Sequence, residues 1–369
     1  MSNDSKVLMK SIIQRVATGP DLSKDIDFEE AKNGMQAILR GEIDDVQSAI
    51  FLIALRMKRE TMEENQGILA AILAESDQQS VDVDQLVDLG DPYSGYNRSI
   101  PISSFLPPVL AELGLPTVIH SLDALSPKFG LTHRHIVQAL GLSVDHSTAD
   151  AKARLENASI GWSYIDQASY CEGLHNMVGL RDRVIKRTVI NTVETLIGPL
   201  RGRKTHSILG YVHKPYPPIY AELVKSSGMD SALLVRGVEG GVIPSLRQKG
   251  LMVSYEGNIE KDRVDIEPAS LGIDQDTRAI SFPSEMDVHK DIPALAQYAV
   301  KLGKAALAGE KGMFYDGLVL SASLVLWHTK KAQTLPQAAE MVRIVLDSKK
   351  APVSYTHLRA HETVLDLVC

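Results

Sequence analysis

Only two cysteines occur in 369 residues, Cys171 and Cys369. That excludes a disulfide framework and a cysteine-rich zinc site, and it fits a reducing cytosol. No stretch approaches the ~18 uninterrupted apolar residues of a membrane span, and the opening MSNDSKVLMKSIIQRV holds no apolar signal core. The expectation is therefore a cytoplasmic protein with no membrane partner. An excess of positive charge is also missing, since 39 Lys and Arg stand against 46 Asp and Glu, a formal net charge of -7. This argues against a general nucleic-acid coat while leaving room for a local basic groove. Internal repeats and low-complexity segments are absent too. What is left, 44% hydrophobic and 23% charged residues, is ordinary globular composition with length for about two domains.

The first part reads as helices. Asp27 and Glu30 form a capping-box pattern, followed by Ala31, Met35 and Ile38 at helical spacing and by Gly41 as a stop. A second helix starts near Asp44 or Asp45 and carries Val46, Ala49, Ile50, Ile53 and Met57 on one stripe. Thr61 and Glu64 repeat the capping pattern ahead of Ile68, Ala71 and Ile72. Short links between these helices predict a small helical domain over 1–80, completed by helices near 170–197. From 81 to 351 the texture changes. Leu86–Leu89, Thr117–Ile119, Ile208–Val212 and Leu233–Val235 read as strands, with helices at Phe105–Leu113, Ile136–Leu140 and Tyr220–Ser226. The alternation predicts a larger α/β domain with a mostly parallel sheet flanked by helices. The run from Val353, VSYTHLRAHETVLDLVC, can be encoded by the end of a transposon-based sequencing adapter, so 352–369 is expected to be a non-native tail.

The segment Asp44–Ile72 resembles the second and third helices of the anthranilate phosphoribosyltransferase family. The family pattern there is roughly Q-x-x-A-F-L-x-A-L-R-x-K-G-E-T. Gln47, Phe51, Leu52, Ala54, Leu55, Arg56, Lys58, Glu60 and Thr61 match it, and Arg59 stands in place of the glycine. Phe28–Glu42, Asp316–Trp327 and Leu335–Ala351 extend the likeness over nearly all of residues 6 to 351. The resemblance implies a helical domain joined to an α/β domain, a homodimer, and transfer of a phosphoribosyl group from phosphoribosyl pyrophosphate, with Mg²⁺ neutralising the leaving pyrophosphate.

It also points to site residues, in a pattern that marks a divergent branch. The family's first glycine-rich phosphate loop corresponds to 90–99, where Gly90, Asp91, Gly95 and Arg98 are the donor candidates and Pro92 removes an amide. Ser103 and Ser104 precede an apolar helix, as phosphate ligands or as plain N-caps. His120 matches the histidine of the family's K-H-G-N motif, while Ile119 replaces its lysine and Lys128 is the substitute cation. The spacing of Arg181 and Arg187 matches the family's acceptor arginines, and a guanidinium fork suits a planar carboxylate. His120 and Arg181 are thereby the catalytic candidates, and His120, Arg181 and Arg187 the acceptor side. Glu239 survives from a pair of metal-binding acids, with Gly240 in the second place. A non-catalytic homologue that binds nucleic acid, through Arg201, Arg203, Lys204 and the 181–187 cluster, or another phosphorylated ligand is the competing expectation.

Overall fold

The computed structural model describes residues 3–19, 21–351, 355, 357 and 358. Four helices open the chain: α1 (Asn3–Val16), α2 (Phe28–Leu39), α3 (Asp45–Lys58) and α4 (Met62–Ala74). Both capping boxes form. Asp27 accepts from the Glu30 amide and Thr61 from the Glu64 amide, while each glutamate reaches back to the cap. The helix α1 was not foreseen, and it covers α2 and α3 with Met9 and Ile12, both fully buried.

The expected core stripe of α3 faces the other way. The buried side is Ser48, Phe51, Leu52, Ala54 and Leu55, while Val46 and Met57 stand 68% and 75% exposed. α3 ends at Arg59, whose φ of +69° belongs to the region that favours glycine. A side chain there costs on the order of 1–3 kcal/mol, against roughly 0.4–1 kcal/mol of unfolded-chain entropy that glycine would add. Arg59→Gly is therefore expected to raise stability by about 1 kcal/mol, read as a higher urea midpoint with an unchanged slope.

The strands are β1 (Gln79–Ser80), β2 (Gln85–Gly90), β3 (Thr117–Ser121), β4 (Trp162–Asp166), β5 (Leu200–Arg201), β6 (Lys204–Tyr211), β7 (Ser231–Arg236), β8 (Gly250–Glu256) and β9 (Ile259–Ile266). β1 pairs with β5, and the rest form one sheet in the order β4-β3-β2-β6-β7-β8-β9. The pairings from β4 to β7 are parallel, and the β8–β9 hairpin closes that edge antiparallel.

Alternate residues of the parallel strands serve different cores, as the period of two requires. Val87, Leu89, Ile119, Ile208 and Leu233 pack with the C-terminal helices. Leu86, Val118, Leu209 and Leu234 share a second core with Met35, Phe51, Leu55 and Ile72 of the helical bundle. The bundle is thus fused to one face of the sheet. Helices between 167 and 193 also pack on α2, α3 and α4. Beyond residue 351, Tyr355 sets its ring against Trp162, centroids 4.9 Å apart, and Leu358 is buried. His357 Nδ1 lies 3.1 Å from the Ser159 carbonyl, and the other residues of the expected tail lie outside the described residues. Among the described residues, no helix is long and apolar enough to cross a membrane.

Candidate active site

A cleft of about 460 Å³ opens where the helical bundle meets the carboxyl ends of β2 and β6, the place where open α/β sheets put ligands. Gly90, Pro92, Tyr93 and Ser94 form its floor and Gly210 to His213 one wall. The chain from Arg187 to Thr195 forms another wall, and Arg56, Glu60 and Asn65 reach in from the bundle. Lys128, Glu239 and Gly240 close one end, while Tyr216, Ile219 and Tyr220 add an apolar side. His213, Tyr216 and Tyr220 lie in series, with ring centroids 6.2 Å and 5.7 Å apart at interplanar angles of 35° and 36°.

The matched helix earns its sequence pattern here. Phe51, Leu52 and Leu55 are core, and Arg56 and Glu60 line the cleft. Lys58 and Thr61 hold the turn into α4 through Glu64. That buried carboxylate accepts from Lys58 Nζ (2.7 Å), the Thr61 amide (2.8 Å) and the Ile26 amide (3.0 Å).

Gly90, Lys128, Arg187 and Glu239 converge on the cleft. Lys128 Nζ donates to the carbonyls of Gly95 (3.2 Å) and Glu239 (3.1 Å) and lies 3.6 Å from the Glu239 carboxylate. Burial pushes its ammonium below the usual lysine range; Glu239 opposes the fall and Arg187 adds to it. Glu239, at φ +56°, accepts from the amides of Asn97 and Arg98, both at 3.1 Å, and from the Ser99 hydroxyl at 2.8 Å. With Gly240 beside it and Lys128 as its nearest cation, this carboxylate does not fit a divalent ion. Its oxygens are committed to hydrogen-bond donors, and no group of three metal-ligating side chains occurs among the described residues.

The remaining expected site residues do not line the cleft. His120 is fully buried; its Nε2 is 3.0 Å from Asp88 Oδ1 and its Nδ1 2.5 Å from the Tyr93 hydroxyl, which also meets Tyr170. It touches the cleft only through Tyr93. Arg181 does not present its fork, because Glu194 takes it bidentately at 2.7 and 2.9 Å. Ser103 donates to Asp91, and Ser104 is 2.7 Å from His133 Nδ1. Asp91 also accepts from the Val242 amide at 2.8 Å. Burial raises its carboxyl, but His133, Ser103 and that amide hold it below the usual range. Gly95 serves loop packing, since a Cβ there would sit 2.6 Å from the Gly130 carbonyl. The Arg98 side chain is exposed.

Much of the basic face expected to bind nucleic acid is paired within the chain, while Lys186, Arg187 and Lys204 stand exposed. Arg181 pairs with Glu194, Arg183 with Asp45, and Arg203 with Asp82 and Asp84. Arg201 donates to the carbonyls of Ile197 and Ser227. Sequence reasoning missed Arg56 and Glu60 as cleft residues, although both stand in the matched pattern. It also missed the tyrosine wall, whose only local signal was a helix.

A helical bundle fused to a mostly parallel sheet, with cations and glycine turns around an open cleft, is the architecture of a glycosyl transferase. The chain belongs to that family: residues 10–76 match its helical bundle domain and residues 94–352 its a/b domain. Within it, this is an anthranilate phosphoribosyltransferase-like member. It is 27% identical to the anthranilate phosphoribosyltransferase of Thermomicrobium roseum over 93% of this chain and 94% of that one. An uncharacterized protein of Aquifex aeolicus is also 27% identical, over 91% and 98%. The same fold recurs in the anthranilate phosphoribosyltransferase of Thermus thermophilus, at a TM-score of 0.72 and 20% identity over 96% and 98% of the two chains. It recurs again in the Saccharomyces cerevisiae enzyme solved in complex with PRPP and Mg, at 0.74 and 16% over 95% and 96%.

Proposed function

We propose that the protein transfers the phosphoribosyl group of phosphoribosyl pyrophosphate to a small aromatic or nitrogenous acceptor in this cleft. The observation that carries the reading is the convergence of Lys128 and the Gly90 turn with two exposed arginines, Arg56 and Arg187, opposite a wall of tyrosines. Lys128 and the amides of the glycine turns suit the pyrophosphate, because amides approach phosphate closely where no Cβ intrudes. The tyrosines suit the face of an aromatic acceptor, and Arg56 or Arg187 a carboxylate on it. In the reaction, the C1′–oxygen bond to pyrophosphate breaks with its electron pair leaving on pyrophosphate. The acceptor nitrogen forms the new bond to C1′, and its surplus proton passes to water in the open cleft. Holding the two reactants in line against fixed cations is the catalytic contribution of this chain.

Calorimetric titration of phosphoribosyl pyrophosphate, with and without Mg²⁺, tests the reading. Lys128→Ala is expected to weaken binding roughly tenfold or more, as loss of a charge-assisted contact does. Magnesium is the cofactor carried by the family resemblance, but no step here is routed through Glu239. Glu239→Gln is accordingly expected to leave the Mg²⁺ dependence of binding unchanged. Absence of binding at millimolar donor would end the proposal.

Assembly as a homodimer belongs to the same reading and is supported by the exposed apolar row Val46, Ile50 and Met57 on α3. Met57→Asp is expected to convert a sedimenting dimer to a monomer with its helical content intact; a wild-type chain that sediments as a monomer would refute the interface.

A further inference from the structure

A second cavity, of about 350 Å³, lies at the opposite end of the sheet. Gln85 and Lys204 begin β2 and β6, and Ser231 begins β7; all three line it. The length of β2 separates this cavity from the cleft by about 17 Å, at roughly 3.3 Å per residue.

At its base is a chain of four side chains on four elements. The Ser254 hydroxyl is 2.9 Å from His328 Nδ1, His328 Nε2 is 2.8 Å from the Ser231 hydroxyl, and that hydroxyl is 2.7 Å from His206 Nδ1. His206 and His328 are 9% and 5% exposed. The last atom of the chain, His206 Nε2, is buried without a partner.

The direction of the chain follows from counting donors. A neutral imidazole has one N–H and one acceptor nitrogen, and a hydroxyl has one hydrogen to give. If Ser254 donates to His328 Nδ1, then His328 Nε2–H donates to Ser231 and Ser231 donates to His206 Nδ1. His206 Nε2–H is then the single unmet donor. The reverse direction leaves both the Ser254 hydrogen and the His206 Nε2 lone pair unmet. The first arrangement wins, because each unmet buried polar group costs about 1–3 kcal/mol. Burial, chiefly, pushes both imidazoles down, His206 to about 4 and His328 to about 3, which keeps them neutral.

Charge completes the picture. Lys204, Lys261 and Lys330 line the cavity with Asp230 and Glu256. Lys261 is 3.3 Å from Glu256, and Asp230 accepts from the Thr205 amide at 2.8 Å. Lys204 and Lys330 are exposed cations at the mouth. Gln85 Oε1 is the other buried unpartnered atom on the lining, an acceptor suited to a hydroxyl. The set is not a metal site, since both nitrogens of His328 and Nδ1 of His206 are committed to serines.

We propose that this cavity is a second binding site, for a small hydroxyl-bearing oxyanion of the phosphomonoester class, separate from the cleft. His206 Nε2–H and the two lysines hold the anion and Gln85 its hydroxyl. The volume suits a ligand of a few to a dozen heavy atoms.

The test uses the full chain with selectively ¹⁵N-labelled histidine and two probes, inorganic phosphate and glycerol 3-phosphate. Either probe is expected to shift the His206 ring signals saturably, with the glycerol ester binding more tightly. Lys204→Ala, a surface change, is expected to weaken this binding at least fivefold and to leave phosphoribosyl pyrophosphate titrations unchanged. His206→Gln tests the buried donor directly, and Lys204→Ala carries the test alone if that variant does not fold. The proposal is overturned if neither probe moves the His206 signals. It is equally overturned if Lys204→Ala leaves probe affinity unchanged, or if Lys128→Ala in the cleft abolishes the binding instead.

Discussion

Arg181→Met is expected to cost about 3–5 kcal/mol of unfolding free energy in urea, and the double change with Glu194→Leu to recover most of it. The pair is nearly dry, with the two side chains 5% and 2% exposed. Removing one partner strands a charge in a low-dielectric place, whereas replacing both by apolar side chains of similar volume removes the charge and its partner together. The fork spans the segment from 181 to 194, and that segment carries Arg187, Thr188, Asn191 and Thr192 into the cleft. Its loss is therefore expected to loosen that wall of the cleft as well as the fold. Were Arg181 instead a direct acceptor ligand, the single change would raise KM while leaving the urea midpoint in place. A stability change under about 0.5 kcal/mol, the scale of an ordinary surface substitution, would refute the structural role.

The second large effect is expected at Gly210. A Cβ on this residue of β6 would lie 2.1 Å from the Gly241 carbonyl oxygen and 2.3 Å from that of Gly240. Both obstacles are backbone, so no side-chain rotation relieves them. Gly210→Ala must push the 237–241 turn outward, at a cost of about 1–3 kcal/mol for overpacking. The larger consequence is functional. The turn carries Glu239 and meets Lys128, and a displacement of about 1 Å near reacting groups costs on the order of a hundredfold. Phosphoribosyl pyrophosphate affinity and pyrophosphate release are both expected to fall at least tenfold. Gly179→Ala is the control, since nothing lies within 4 Å of its Cβ. Equal donor affinity in both variants would show that the turn does not matter.

What could be read from the sequence was local. The boxes at Asp27 and Thr61 depend on residues three apart, and the strands β2, β3, β6 and β7 are runs of apolar or β-branched residues covered on both faces. Arg59 stood in the place of a glycine, but the positive φ that strains this helix end was seen only in the structure. The inward direction of α3 could not be read the same way, because Val46, Ile50 and Met57 are as apolar as Phe51 and Leu52. β4 was hidden by Ser163 and the terminal Asp166, and β9 by its charged, mostly exposed run.

The site divided along the same line. Lys128 was the substitute cation that the resemblance pointed to, and the fold brings it to the cleft beside Glu239. Arg181 matched by spacing, yet its partner Glu194 lies thirteen positions on and is brought back by the fold. His120 matched by identity, but Asp88 and Tyr93 enclose it from neighbouring strand and loop. Pairing across space is what a one-dimensional pattern does not carry.

Glu239 gives the Lys128 end of the cleft an occupant of its own. A carboxylate already seated on two amides and a hydroxyl, and beside an ammonium, leaves no vacancy there, so on the proposed reading an arriving oxyanion enters by exchange. The resting loop is kept in shape by an internal stand-in, and the incoming group must outcompete a tethered rival whose local concentration never changes.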